Sequence, residues 1–197
     1  MRMLEVIVFD RDGRVVRRVA VNEDLFNEYL KRVRESGNDL FTRWGLRFFR
    51  GIFGATPRGG NWAESYVDTG GTGRTQNIKG AAGSNYVWFN TYGCPNRLWM
   101  AYGTGTTTPT RDDYRLVAKV GEGVAGVTAD EAQGTVTISA SFTFAESLTV
   151  YEVGLEWEGP VVGYDVCGRV LVDRTVFPDG IPVSANQTLA LVYRFIT

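Results

Sequence analysis

From Thr135 to Phe144 the chain alternates without a break: Val136, Ile138, Ala140, Phe142 and Phe144 are interleaved with Thr135, Thr137, Ser139, Ser141 and Thr143. A period of two is the mark of an extended strand with one face on a core and the other in water. After a short break at 145–147, Tyr151, Val153, Leu155 and Trp157 alternate with Glu152, Gly154, Glu156 and Glu158. Two further runs cover Val170 to Phe177 and Thr188 to Ile196. Strands at this spacing, separated by Gly, Pro and Asn turns, predict a mainly-β fold, an antiparallel β-sandwich of jelly-roll-like type. The pattern constrains architecture and leaves the chemistry to be read elsewhere.

At 197 residues the chain suits one generous domain or a domain with an appendage. A net charge of -1 gives no overall attraction to nucleic acid or to an anionic membrane. There is no histidine, which removes Ser-His-Asp and Cys-His catalysis and the usual zinc sites. Cys94 and Cys167 are too few for a disulfide scaffold and read as small buried hydrophobes, with pairing left open. The start of the chain lacks a signal-peptide pattern, and no stretch approaches the roughly 20 apolar residues of a membrane span. Synthesis in a cytosol is expected.

Three regions differ in texture. Residues 1–56 are charged and read as a ββα unit followed by a docking segment. Leu4–Phe9 and Arg14–Val21 flank Asp10-Arg11-Asp12-Gly13, where Asp-Gly is a hairpin signal. Asn22 then caps an expected helix with an apolar stripe at Leu25, Phe26, Tyr29, Leu30 and Val33, ended by Gly37. Downstream, Arg43, Arg47 and Arg50 share a segment with Trp44, Phe48 and Phe49. Arginine and aromatics are enriched at interfaces, so these six residues are the candidate docking surface against a protein neighbour. Residues 57–84 are glycine-rich with little periodicity and read as an arm that orders in an assembly. The β domain is expected over 85–197, with opening strands at 86–91 and 97–102.

Asp10 and Asp12 after Val6-Ile7-Val8-Phe9 look like the first motif of haloacid-dehalogenase-type phosphatases, which implies an Asp10 nucleophile, an Asp12 acid/base and Mg2+. Arg14 departs from that pattern, and the β-rich remainder does not supply the parallel sheet the family needs, so a hairpin turn is the stronger reading. Asp68-Thr69-Gly70 matches the aspartic-protease triplet, yet one carboxylate cannot make the dyad. Gly103-Thr104-Gly105-Thr106 lacks the Gly-Lys-Ser/Thr ending of a phosphate loop. Trp88 and Trp99 lie in the opening strands, where an exposed ring would stack on a sugar and a buried one would belong to the core. No catalytic residue, cofactor or metal site is expected.

Leu98 to Thr197 resembles a recurrent module of tailed-phage virion proteins, seen in tail-fibre, baseplate and minor tail proteins. The opening element is Ala101-Tyr102-Gly103-Thr104-Gly105 followed by Pro109, Asp112-Asp113 and Leu116. Glu152-Val153-Gly154-Leu155 supplies a Glu-x-Gly-Leu element, Arg174-Thr175-Val176-Phe177 an Arg-x-x-Phe strand end, and Leu189 to Ile196 the last strand. The family's usual Lys before that strand is replaced by Pro182-Val183-Ser184-Ala185, and the first 97 residues are not covered. The resemblance implies a non-enzymatic structural protein of a virion, with copies of itself and other capsid or tail proteins as partners. A receptor- or glycan-binding fibre tip using Trp88 or Trp99 is the alternative, and an Mg2+-dependent phosphatase using Asp10 and Asp12 the third.

Overall fold

The computed structural model describes residues 2–22, 39–41, 61–79, 97–130, 132–133, 135–161 and 166–196. Among them the fold is mainly β, with twelve strands and no helix. The strands are β1 (Arg2–Phe9), β2 (Val15–Asn22), β3 (Asp39–Phe41), β4 (Asn61–Val67), β5 (Gly73–Lys79) and β6 (Arg97–Gly103). They continue as β7 (Lys119–Val124), β8 (Gly126–Asp130), β9 (Thr135–Thr143), β10 (Leu148–Val161), β11 (Val166–Val183) and β12 (Thr188–Ile196). Two five-stranded sheets run in the orders β2-β1-β12-β9-β8 and β3-β11-β10-β6-β7, and β4-β5 make a separate hairpin. Every described pairing is antiparallel.

The period of two places the core as expected. Leu4, Val6 and Val8 of β1 and Leu189, Leu191 and Tyr193 of β12 point to the same side of the first sheet. They share one hydrophobic cluster with Met100, Val153, Leu155, Trp157, Val170 and Val172 of the second sheet. Asp173 is fully buried on this inner side, and its Oδ2 accepts a hydrogen bond from the Tyr193 hydroxyl at 2.8 Å, tying β11 to β12. The chain crosses from one sheet to the other at Ala125, between β7 and β8, where the Ala125 N–H donates to the Leu98 carbonyl at 2.8 Å.

The N-terminal hairpin forms as read, but it is built into the body of the protein: β1 pairs with β12 from Arg2↔Phe195 to Phe9↔Thr188. The first and last strands of the chain are therefore neighbours. The helix expected after Asn22 lies outside the described residues. Within the glycine-rich 57–84 segment, β4 and β5 pair from Asn61↔Lys79 to Val67↔Gly73. Both hairpin turns follow Asp-x-x-Gly. In each, the Asp amide donates to the carbonyl four residues on, the Gly amide donates to the Asp carbonyl, and an Asp Oδ1 accepts the amide four residues on. Gly13 and Gly71 adopt φ of 79° and 83°, the left-handed position such a turn needs.

Candidate functional site

The second sheet turns its outer face to a long loop, residues 104–118, and charged groups hold that loop down. Past a register shift between Val150 and Glu152, Val153, Leu155 and Trp157 of β10 enter the core, so Glu152, Gly154, Glu156 and Glu158 face outward. Glu152 is nevertheless 0% exposed. Its Oε1 accepts the amides of Gly105 at 3.2 Å and Ala118 at 2.7 Å. Its Oε2 accepts the Val117 amide at 3.1 Å and Arg174 Nε at 2.8 Å. Arg174, on the neighbouring β11, is also 0% exposed. Its other nitrogens donate to Asp113 Oδ2 at 2.7 Å and to the Thr107 carbonyl at 3.0 Å. Two side chains thus bind both ends and the middle of the loop.

The glycines of the segment follow from this packing. A Cβ on Gly105 would stand 2.5 Å from Glu152 Oε1, and one on Gly103 would stand 2.4 Å from the Ala118 carbonyl oxygen. A Cβ on Gly154 would meet Leu116 Cδ1 at 2.4 Å. Leu116 fills that space and forms a small buried cluster with Ala101 and Leu171. Gly103, Gly105, Asp113, Leu116, Glu152, Gly154 and Arg174 therefore converge on one clasp. Four donors fill the acceptor sites of the Glu152 carboxylate, which suits it to holding backbone.

A second charged group lies farther along the same face. Arg169 on β11 places its guanidinium carbon 3.8 Å from the centre of the Trp99 ring. The Trp99 indole N–H donates to Glu158 Oε2 at 2.7 Å. Arg169 Nη1 also donates to Glu122 Oε1 at 2.6 Å, and Lys119 Nζ reaches Glu122 Oε2 at 2.6 Å and Glu156 Oε1 at 3.4 Å. Burial pushes the Glu156 carboxyl up, and Lys119 and Arg169 offset this only in part. Burial acts the same way on Glu122, but its bonds to Lys119 and Arg169 win and hold it below the usual carboxylate range. The carbonyl of Arg169 accepts the Thr69 amide at 3.0 Å, which docks the β4–β5 turn beside this cluster. A third group, on the first sheet, sets buried Glu5 between Arg18 and Arg194. Burial raises the Glu5 carboxyl and the two arginines more than reverse it.

Of the residues singled out in the sequence, Arg43, Trp44, Arg47, Phe48, Phe49, Arg50 and Trp88 lie outside the described residues, as does Cys94. Trp99 is half-buried, with the Arg169 guanidinium over its ring and its N–H engaged. Asp10 serves the first hairpin turn: its Oδ1 accepts the amides of Asp12 at 2.9 Å and Arg14 at 2.8 Å. Asp68 does the same for the second, accepting the Thr72 amide at 2.8 Å. Residues the sequence reading passed over are Arg169, Glu156 and Glu122. The available signal was charge on the polar side of a strand, which is also what a solvated strand shows.

No protein-family model, curated protein or solved structure matches the chain.

Proposed function

We propose that the chain is a structural protein of a virion, which assembles with copies of itself and with other capsid or tail proteins and performs no catalysis. In this reading the two antiparallel sheets are the layers of a jelly-roll-like β-sandwich, supported by a hydrophobic cluster that draws on both. The observation that carries the function is the clasp. Seven of the residues that carry the resemblance to tailed-phage virion proteins, Gly103, Gly105, Asp113, Leu116, Glu152, Gly154 and Arg174, meet around Glu152 and fasten one loop to one sheet face. Charges placed this way fix the shape of a surface loop, which is what a subunit that must fit its neighbours requires. Residues 43–50, with Arg43, Arg47 and Arg50, are the proposed docking segment.

The test is quantitative mass spectrometry of density-purified virus particles from an infected source culture. Presence at a fixed ratio to the major capsid protein is the expected result, and the ratio separates shell from tail. Absence from particles, with the chain abundant in the cell, overturns the reading. Changing Arg43, Arg47 and Arg50 together to Glu is expected to block incorporation and leave the β fold intact; normal incorporation would move docking to another surface.

A further inference from the structure

A strand at the rim of a sheet offers N–H and C=O groups to any extended chain brought alongside, and proteins guard such rims with lysines, prolines, bulges or very short strands. The two large sheets have four rims among the described residues: β2, β8, β3 and β7. β2 carries Arg17 and Arg18 and pairs with β1 through a register shift at Val8/Phe9. β3 is three residues long. β7 carries Lys119 and Glu122 and shifts register at Tyr102/Gly103. β8 has none of these devices. Its sequence is Gly126-Val127-Thr128-Ala129-Asp130, and its five rungs run against β9 without a shift.

All five β8 residues are exposed. The single charge, Asp130, is engaged by the β8–β9 turn, where its Oδ1 accepts the Gln133 amide at 3.1 Å. Beside the rim, part of an apolar face is uncovered. Val127 is 55% and Val136 38% exposed, although both share a face with the core residue Ile138.

We propose that β8 pairs antiparallel with β8 of a second copy of this chain, across a two-fold axis at Thr128. Thr128 is the midpoint of the strand, so this is the two-fold register that uses all five rungs. It sets Thr128 opposite its counterpart, Val127 opposite Ala129, and Gly126 opposite Asp130. No two like charges face each other. On the apolar side each rung runs Val136–Ala129 and then Val127–Ile138 of the other copy, so the exposed valines gain neighbours where they lack them. On the other side, Thr137–Thr128 meets Thr128–Thr137, and cross-strand threonine pairs are favourable. A slip by one residue would turn the two apolar faces to opposite sides of the joined sheet. Such a contact between identical patches is isologous and needs no other component.

The contact deepens the assembly reading but is measured on the purified full-length chain, so absence of the protein from particles would sink that reading and leave this contact standing. In sedimentation experiments the mass is expected to move from one copy toward two as concentration rises. Thr128→Lys puts like charges opposite each other at the axis with its side chain in solvent, and is expected to weaken association about tenfold while the far-UV spectrum is kept. Thr128→Cys, oxidised with diamide as acceptor of the two thiol hydrogens, is expected to give a disulfide-linked dimer beyond any formed by the unchanged chain. Ser141→Cys, exposed on the same sheet but one strand inward, serves as the control. A concentration-independent monomer, a dimer that Thr128→Lys does not weaken, or equal cross-linking at Ser141→Cys each overturns the proposal.

Discussion

Changing Arg174 to Met keeps an unbranched apolar stem and deletes the guanidinium. That group donates to Glu152 Oε2 at 2.8 Å, to Asp113 Oδ2 at 2.7 Å and to the Thr107 carbonyl at 3.0 Å. Its loss leaves the Glu152 charge at 0% exposure, held by three backbone amides. Breaking a buried ion pair from one side costs about 3–5 kcal/mol. The lower end applies here, because the Asp113 side chain is 17% exposed and regains water, and because Met fills the volume of the stem. A loss of about 3 kcal/mol in a chain of this length lowers Tm by about 6–12 °C. Urea titration followed by tryptophan fluorescence measures the loss. Hydrogen exchange at the Val117 and Ala118 amides shows whether the loop opens first. The double variant Glu152→Gln/Arg174→Met removes the stranded charge and is expected to be more stable than the sum of the singles by about 1–3 kcal/mol. A single variant within about 0.5 kcal/mol of the parent, or a double variant with no coupling, would refute the clasp.

Three further perturbations follow from the same geometry. Gly105→Ala drives a Cβ to within 2.5 Å of Glu152 Oε1 and should cost about 1–3 kcal/mol in thermal melts, whereas Gly73→Ala, with nothing within 4 Å, should leave stability nearly unchanged. Glu156, whose folded pKa is raised by burial, subtracts stability as pH rises from the ordinary carboxylate value through the raised one; Glu156→Gln should abolish that step in denaturation curves measured against pH and be the more stable protein at neutral pH. Glu5 and Glu122, held low, give the opposite limb: stability lost as pH falls below the ordinary carboxylate value, and this limb should persist in Glu156→Gln. Arg169→Gln uncovers the Trp99 ring and should shift its fluorescence, with a loss of about 1–2 kcal/mol on unfolding.

The strands that alternate cleanly, β1, β2, β6 and β9 to β12, were legible because their inward residues are large and apolar. β7 and β8 were not, for a physical reason. The inward positions of β7 are Gly121 and Gly123, whose missing side chains make room for the rings of Tyr102 and Phe142; added Cβ atoms would stand 2.5 and 3.1 Å from them. A strand whose core contacts come from its neighbours carries no hydrophobic signal of its own. The β4–β5 hairpin could have been found, since Asp68 and Gly71 repeat the Asp10 and Gly13 spacing, but the surrounding glycines read as an arm. The clasp was half visible. Glu152 and Gly154 stood out as a charged residue and a close approach within an apolar strand, while the partners lie 47 residues away at Gly105 and, from Arg174, 61 away at Asp113. Alternation in β10 also overstated exposure, because Glu152 is roofed by the 104–118 loop and Glu156 lies against Lys119 and Arg169, and neither reaches solvent.

The distribution of charge also bears on how far assembly by the β8 rim would extend. A buried ion pair is seldom more stabilising than apolar side chains of the same volume, so Glu152 and Arg174 are better explained by the single loop position they enforce than by net stability. An apolar roof would slide; one fastened by three amide hydrogen bonds to Glu152 and two more from Arg174 does not. Guarding charges, meanwhile, sit on the β2 and β7 rims and leave β8 open. Pairing of two β8 strands buries the rim that, among the described rims of the two large sheets, is unguarded, and the joined sheet then ends on both sides at β2, with Arg17 and Arg18. Because the contact is isologous, it closes on itself, and edge-to-edge growth stops at two copies. Larger assemblies would then have to be built through other surfaces, and removing the β2 guard by Arg17→Thr/Arg18→Thr should convert a closed dimer into an open, concentration-dependent series visible in sedimentation.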